Sequence, residues 1–582
     1  MTAALGAKVR LRDREPRSWI VREGGGLVAL VLACILLLSL LPLARLILAA
    51  VAPSGSIDLA PLRSLLAPDV LQATANTLVV AFGSTAVALA VGVAMGILLA
   101  TTDLAGRTVV AFVFVASLMI APQVAALAFK TLAGPASPLL QQLGLAPPPG
   151  TPNPMLGAGG IIFVMGLHHA PLVAITLAPG FAAIPRSLIE AAALDGAQPG
   201  TIVRRIVLPL MQPYFVAAAL IAFVAGVGNF GIPALLGLPV GYETLPTLVF
   251  QKIASYGPAL ITNAAAVSLL VAAVSGVGVV AAAFAIPRDG PRLDADERMP
   301  AFWKLRRWRW PVTVVVWLLI GLSVVLPFAS LIATSLVPAY GVQLSLDSFT
   351  FGRFYEVLVR QDVTLRAFRN SLLLAVAAAL VLALAAIPIA YALDRRLARQ
   401  RGLLMVLIEM PYAMPGIVLA IACILLFLRP LPIIGVSLYA TPWIILFAYL
   451  ARFLPLALKP ALAAMAGIAR DQEEAAAVCG ARLLDRLRYV VFPRLLAPVA
   501  AGSLMVFLLA FNELTVSALL WSAATETLGV ALLSLEDAGL ASEAAAIGVC
   551  AILLVVGLML LLDRLSSKLP PDVLPWRVFG RC

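Results

Sequence analysis

Charge is scarce in this chain. Asp, Glu, Lys and Arg make up 12% of its 582 residues, while hydrophobic types make up 62%. Soluble domains carry roughly 25% charged residues, and a soluble chain of this length would divide its apolar residues among several cores. Histidine is nearly missing: His168 and His169 are the only two. Neighbours on a helix point in different directions, which argues against a two-His metal site, and neither His is placed to serve a nucleophile. The five cysteines (34, 423, 479, 550 and 582) show no paired spacing, which excludes a disulfide framework or a cysteine metal site. The dipeptide Gly-Lys does not occur. The phosphate-binding loop G-x-x-x-x-G-K-[ST] is therefore missing, and the chain does not bind and hydrolyse ATP by that machinery. No catalytic constellation, cofactor or metal is expected, and the chain is not read as an enzyme.

What is present is a series of apolar runs long enough to cross a bilayer, which takes about 20 residues. Twelve spans are predicted, at 27–50, 76–101, 108–130, 157–182, 214–237 and 259–286, then 311–335, 370–393, 403–428, 438–463, 498–521 and 544–562. The run after the basic N-terminus exceeds the apolar region of a signal peptide, so it reads as an uncleaved first span. Segment 131–156 carries Pro147-Pro148-Pro149-Gly150 and Pro152-Asn153-Pro154, which is turn and loop chemistry.

Lys and Arg collect on one side of these spans. Residues 1–26 hold Lys8, Arg10, Arg12, Arg14, Arg17 and Arg22. Segment 287–310 holds Arg288, Arg292, Arg298, Lys304, Arg306, Arg307 and Arg309. Arg395, Arg396, Arg399 and Arg401 follow span eight, while 131–156 and 522–541 have none. Loop 336–369 is the exception, with Arg353, Arg360, Arg366 and Arg369. The bias predicts both termini in the cytoplasm and accounts for the net charge of +12 without nucleic acid as a partner. The expected location is a membrane that the chain crosses many times.

The two halves repeat each other. Glu190-Ala191-Ala192, Gly196, Ile206, Leu208 and Pro209 recur 284 residues later as Glu474-Ala475-Ala476, Gly480, Val490, Phe492 and Pro493. Asn76-Thr77-Leu78 recurs as Asn370-Ser371-Leu372, Pro171 as Pro455, Ala234-Leu235-Leu236 as Ala518-Leu519-Leu520, and Glu243-Thr244-Leu245 as Glu526-Thr527-Leu528. The pattern E-A-A-x3-G-x9-I-x-L-P resembles the EAA loop of permease subunits in binding-protein-dependent ABC importers. The first copy fits throughout; the second replaces Ile and Leu by Val490 and Phe492. The resemblance implies an all-α membrane protein of about twelve helices in two parallel repeats of six, the type I importer architecture. Its parts would be a first half at 27–286 with its EAA loop near 183–213, a basic linker at 287–310, a second half at 311–562 with its loop near 466–497, and a tail at 563–582. It implies as partners an ATPase dimer on the cytoplasmic face and a periplasmic substrate-binding protein. A single chain of two halves is similar to iron(III) importers, and the stretch Asn229-Phe230-Gly231-Ile232-Pro233-Ala234-Leu235-Leu236-Gly237 looks most like iron(III) and phosphonate permeases. Thiamine, 2-aminoethylphosphonate and polyamine systems are the alternatives, and an ion-coupled secondary transporter is the alternative of another class.

Within each loop, Ser187 with Glu190, and Asp471 with Glu474, have capping-box spacing. Each loop is thus expected to hold a short capped helix, a turn at Gly196 or Gly480, and a second helix ending near Pro209 or Pro493. In the resembling family this short helix docks on the ATPase. Candidate path residues are Asn229, Asn512 and Glu513. Asn229 and Glu513 are equivalent and are expected to oppose each other across a pseudo-two-fold axis toward the outer gate. A carboxylate inside a span is costly unless it meets a partner or a wet cavity, though hydration near the outer interface is the other reading. Arg452 and His168, also equivalent, either mark the inner mouth or reach for the interface.

Overall fold

The computed structural model describes residues 25–53, 56–58, 60–182, 184–254, 260–285, 304–430, 435–565 and 575–577. The basic N-terminus, Arg288, Arg292 and Arg298 of the linker, and most of the tail lie outside the described residues. The described chain is helical, and its principal helices form two matching sets of ten. The first set is α1 Gly25–Val51, α2 Pro68–Thr101, α3 Arg107–Met119, α4 Pro122–Ala133, α5 Ala158–Ala182, α6 Arg186–Leu194, α7 Gly200–Val227, α8 Gly231–Leu236, α9 Leu245–Ala254 and α10 Leu260–Ala285. The second is α11 Arg306–Ser335, α12 Asp362–Arg396, α13 Arg401–Ala413, α14 Gly416–Phe427, α15 Pro442–Ala466, α16 Arg470–Val478, α17 Leu483–Phe511, α18 Ser517–Leu520, α19 Leu528–Asp537 and α20 Ala541–Leu565.

Ten of these helices are individually long and apolar enough to cross a membrane. The third and ninth predicted spans are not continuous. Each is a pair of helices, α3 with α4 and α13 with α14, bent by 102° in both halves. The cause is local. Proline disfavours a helical conformation in the residue before it and donates no hydrogen bond. Ile120 and Ala121 are extended ahead of Pro122, and Met414 is extended ahead of Pro415. The fifth and eleventh spans end earlier than predicted, at Val227 and Phe511, and begin earlier, at Gly200 and Leu483. Segment 131–156, expected as loop alone, contains a short helix Pro138–Gln142 whose Ser137 hydroxyl accepts from the Leu140 N–H at 3.4 Å.

The halves are interlocked. The end of α1, Leu41–Val51, packs on α10 of its own half and on α14 of the other. The end of α11, Leu326–Ser335, packs on α20 and on α4 of the first half. Each half's first span thus covers the other half's broken span. Close helix approach through small residues adds to this in the first half. A side chain at Gly92 would sit 2.5 Å from the Ala170 carbonyl, and one at Gly166 would sit 2.5 Å from Val87 Cβ, so α2 and α5 pack backbone to backbone there.

Three of the four arginines that broke the charge bias are held in ion pairs. Arg353 pairs with Glu543, Arg366 with Glu526 at 3.6 Å, and Arg360 with Glu356 at 3.6 Å. At the same end Lys130 of α4 pairs with Glu536 of α19, joining the halves. Burial, with the Glu536 carboxylate nearby, pushes the Tyr340 hydroxyl beside them up to about 12.

Candidate coupling loops and translocation path

The two EAA segments fold alike. Helix α6 runs from Arg186 to Leu194 and α16 from Arg470 to Val478, and both close in the same way. The Gly196 N–H donates to the Ala193 carbonyl at 3.1 Å and the Ala197 N–H to the Ala192 carbonyl at 3.0 Å. Gly480 and Ala481 repeat this on Ala477 and Ala476, each at 3.0 Å. This is a Schellman closure, and it needs a left-handed residue after the helix. Gly196 has φ +81° and Gly480 φ +88°. A side chain at either would meet nothing within 4 Å, so backbone conformation, not space, requires glycine here.

The capping boxes expected at Ser187 and Asp471 do not form. Pro185 and Ala469 are the N-caps, and neither makes a side-chain cap bond. Both helices start two residues earlier than the capping-box spacing suggested, and in the first half Pro185 has its φ fixed near the value that opens a helix. Pro209 and Pro493 do not end a helix either. Each lies in the first turn after a π-helical turn, Val203–Val207 or Leu487–Val491, inside a helix that continues as α7 or α17. The wider turn accommodates a residue without an N–H. The residue between the motif's two apolar positions, Val207 or Val491, is the buried one, while Leu208 and Phe492 are exposed.

The buried face of the two short helices differs. In the first half Ile189 anchors α6 in an apolar cluster with Phe181, Ile184, Ile202 and Met211. Its equivalent is Glu473, also buried, which accepts from Arg395 Nε at 2.8 Å. Arg395 donates as well to the Ile468 carbonyl at 2.7 Å and pairs with Asp394. The outward face is alike: Glu190 and Ala191, Glu474 and Ala475 are exposed. Leu194 is 89% exposed and its equivalent Val478 88% exposed. Two large apolar side chains at matching positions stand in solvent.

Asn229, Asn512 and Glu513 are buried, but they lie just beyond the ends of α7 and α17 and not within a span. Asn229 Oδ1 accepts from the Ile232 N–H at 3.1 Å, and Glu513 accepts from the Val516 N–H at 3.0 Å. The register is identical, so both side chains cap the short helix that follows. Glu513 further accepts from the Ser517 N–H at 3.3 Å and from the Thr515 hydroxyl.

The residues preceding these caps reach the other half. The Asn512 amide donates to the Met119 carbonyl at 3.4 Å, at the break between α3 and α4, while Gln123 Nε2 donates to the Asn512 carbonyl at 3.2 Å. The equivalent of Asn512 is Gly228, where a side chain would stand 3.3 Å from Pro415, at the break between α13 and α14. Each half's fifth span therefore ends on the opposite half's break. Arg452 is also at a break: its Nη1 donates to the Met414 carbonyl at 3.5 Å. Backbone freed at a break must find partners away from water, and Asn512 and Arg452 supply them. His168 is buried and borders a small cavity with Ser117 and Ser323.

Two of the repeated motifs meet each other inside each half. Asn76 Nδ2 donates to the Glu243 carbonyl at 2.8 Å, and Thr77 Oγ1 accepts from the Leu245 N–H at 2.7 Å. Asn370 Nδ2 donates to the Glu526 carbonyl at 3.0 Å, and Ser371 Oγ accepts from the Leu528 N–H at 2.7 Å. The top of span two clamps the loop before α9, and span eight clamps the loop before α19. Gln123 was not singled out by sequence reasoning; its position just after a Pro122 break was the available signal.

A family described as binding-protein-dependent transport system inner membrane component matches residues 90–287 and again 386–574. The chain belongs to this family. It is a fused two-half ABC importer permease with the type I fold, a multi-pass membrane subunit of a family that works with an ATPase and a binding protein. The permease is similar to a "Probable ABC transporter permease protein" of Sinorhizobium fredii, 28% identical over 441 residues, 73% of this chain and 75% of that protein. It is similar also to a "Probable molybdenum ABC transporter permease protein" of Haloferax volcanii, 30% identical over 243 residues, 42% of this chain and 82% of the other. The spermidine/putrescine permease PotC of Escherichia coli is 28% identical over 210 residues, 36% of this chain and 76% of PotC.

Proposed function

We propose that this permease passes iron(III), delivered by a periplasmic binding protein, between its two broken spans, driven by an ATPase dimer that docks on α6 and α16. The observation that carries the coupling is the matched pair of exposed apolar side chains, Leu194 and Val478, each beside a Schellman closure. Exposed apolar residues at equivalent places favour a protein partner on that face. Both termini and both EAA loops then lie in the cytoplasm.

The path is proposed to close where Asn512 and Gly228 rest on the opposite breaks, with Asn229 and Glu513 holding the capped helices beside it. Iron(III) is supported by the single-chain arrangement, while the Asn229–Gly237 stretch fits iron(III) and phosphonate permeases alike. The names of similar proteins state molybdenum, spermidine/putrescine and 2-aminoethylphosphonate, and these define the competing substrates. Proteoliposomes carrying the permease, its ATPase and its binding protein are expected to accumulate labelled iron(III) with ATP. Accumulation of molybdate, putrescine, thiamine or 2-aminoethylphosphonate in its place would replace the substrate and leave the coupling intact. A permease that purifies without any ATPase, or imports on an ion gradient alone, would make it a secondary transporter.

A further inference from the structure

We propose that the groove between α11 and the turn joining α2 to α3 holds one anionic phospholipid from the leaflet beside the EAA loops. The open groove has a volume of about 670 Å³ and is lined by Gly106, Trp310, Thr313, Trp317, Gly321 and Leu326, with other apolar residues of α11. Positions 310, 313, 317 and 321 share one helix face. Nothing stands within 4 Å of where side chains of Gly106 or Gly321 would be, so the two glycines leave the groove open. A long apolar trough facing the bilayer suits an acyl chain.

The charge at its mouth selects the headgroup. Lys304, Arg306, Arg307 and Arg309 lead into Trp310, and Arg107 follows Gly106. None of these five makes an ion pair among the described residues. The nearby acid, Asp103, is engaged: its Oδ1 accepts from the Leu305 N–H at 2.7 Å. Arg107 Nε and Nη2 are buried and have no acceptor. Buried N–H groups of a guanidinium are costly without one, and a phosphate offers two oxygens in matching geometry. Basic pockets between spans at this level of a membrane take anionic headgroups, and tryptophan suits the headgroup boundary.

The test uses the full-length permease in detergent, titrated with phosphatidylglycerol or phosphatidylcholine brominated in the acyl chain. The groove signal is the tryptophan quenching lost in Trp310→Phe/Trp317→Phe. Quenching by phosphatidylglycerol is expected at a mole fraction at least about fivefold lower than by phosphatidylcholine, and Arg107→Gln is expected to weaken the former about fivefold and leave the latter unchanged. Should Arg107→Gln not fold, the exposed pair Arg306→Gln/Arg307→Gln serves in its place, with the same expectation. Equal quenching by both lipids, or a phosphatidylglycerol response unchanged in the arginine variants, would overturn the proposal. So would inorganic phosphate abolishing the difference, since the site would then bind the free anion.

Discussion

At the residue scale, single side chains here work mostly on the backbone. Gly196 and Gly480 are needed for a left-handed φ, since open space surrounds both. A β-branched residue in that conformation costs about 1–2 kcal/mol, whereas Asn adopts it readily. Gly196→Val is therefore expected to reduce ATPase co-purification and uptake, and Gly196→Asn to preserve most of both. Equal loss in the two variants would show that something other than φ matters at the turn. Glu513 illustrates the same rule inside the bundle. Its carboxylate accepts from the N–H groups of Val516 and Ser517, and losing such a cap costs about 1 kcal/mol. Glu513→Ala is expected to lower the melting temperature and Glu513→Gln to do so less. If Glu513→Gln melts as wild type but abolishes uptake, the carboxylate charge serves transport and not only the cap.

At the scale of elements, the helices are held by small clamps at their ends. Asn76 and Asn370 hold the loops before α9 and α19 by carbonyl oxygens. Asn76→Ala strands the buried side of that clamp, at about 1–3 kcal/mol. The double variant with Asn370→Ala should show nearly additive losses in thermal unfolding, because the sites lie in different halves. A second clamp joins the halves at their other end. Trp576 is 1% exposed, lies edge-on to Phe112 of α3 with ring centres 5.9 Å apart, and donates to Asp563 of α20 at 3.0 Å. Trp576→Ala is expected to destabilise the permease by about 3 kcal/mol, and a melting curve unchanged by it would mean the contact contributes nothing.

At the scale of the whole molecule, transport requires the contacts between halves to part and re-form. Gln123 and Asn512 meet across that boundary, next to the Met119 break. With the native cysteines replaced, Gln123→Cys/Asn512→Cys is expected to cross-link and to stop uptake while the ATPase still binds. Unimpaired uptake by the fully cross-linked protein would show that this boundary does not open during the cycle.

The twofold plan was written in the chain because duplicated residues keep their spacing, and the offset of 284 carried the EAA helices, the glycine turns and the Asn229/Glu513 equivalence. Span count and the crowding of cations at one side followed from hydropathy and charge, which are local properties. The two breaks were missed, although Pro122 and Pro415 carried a local signal through their effect on the preceding residue. The starts of α6 and α16 were misjudged because the spacing of Ser187 and Asp471 is a side-chain signal, while the chain enters both helices through extended backbone at Pro185 and Ala469. Only the tertiary structure decided what lies against what. That the first span of each half covers the other half's break, that Asn76 meets Glu243, and that Asn512 caps a carbonyl 393 residues away are long-range pairings. A period in the sequence reports which face of a helix is apolar, but all sides of these helices are apolar, so packing alone selects the neighbour.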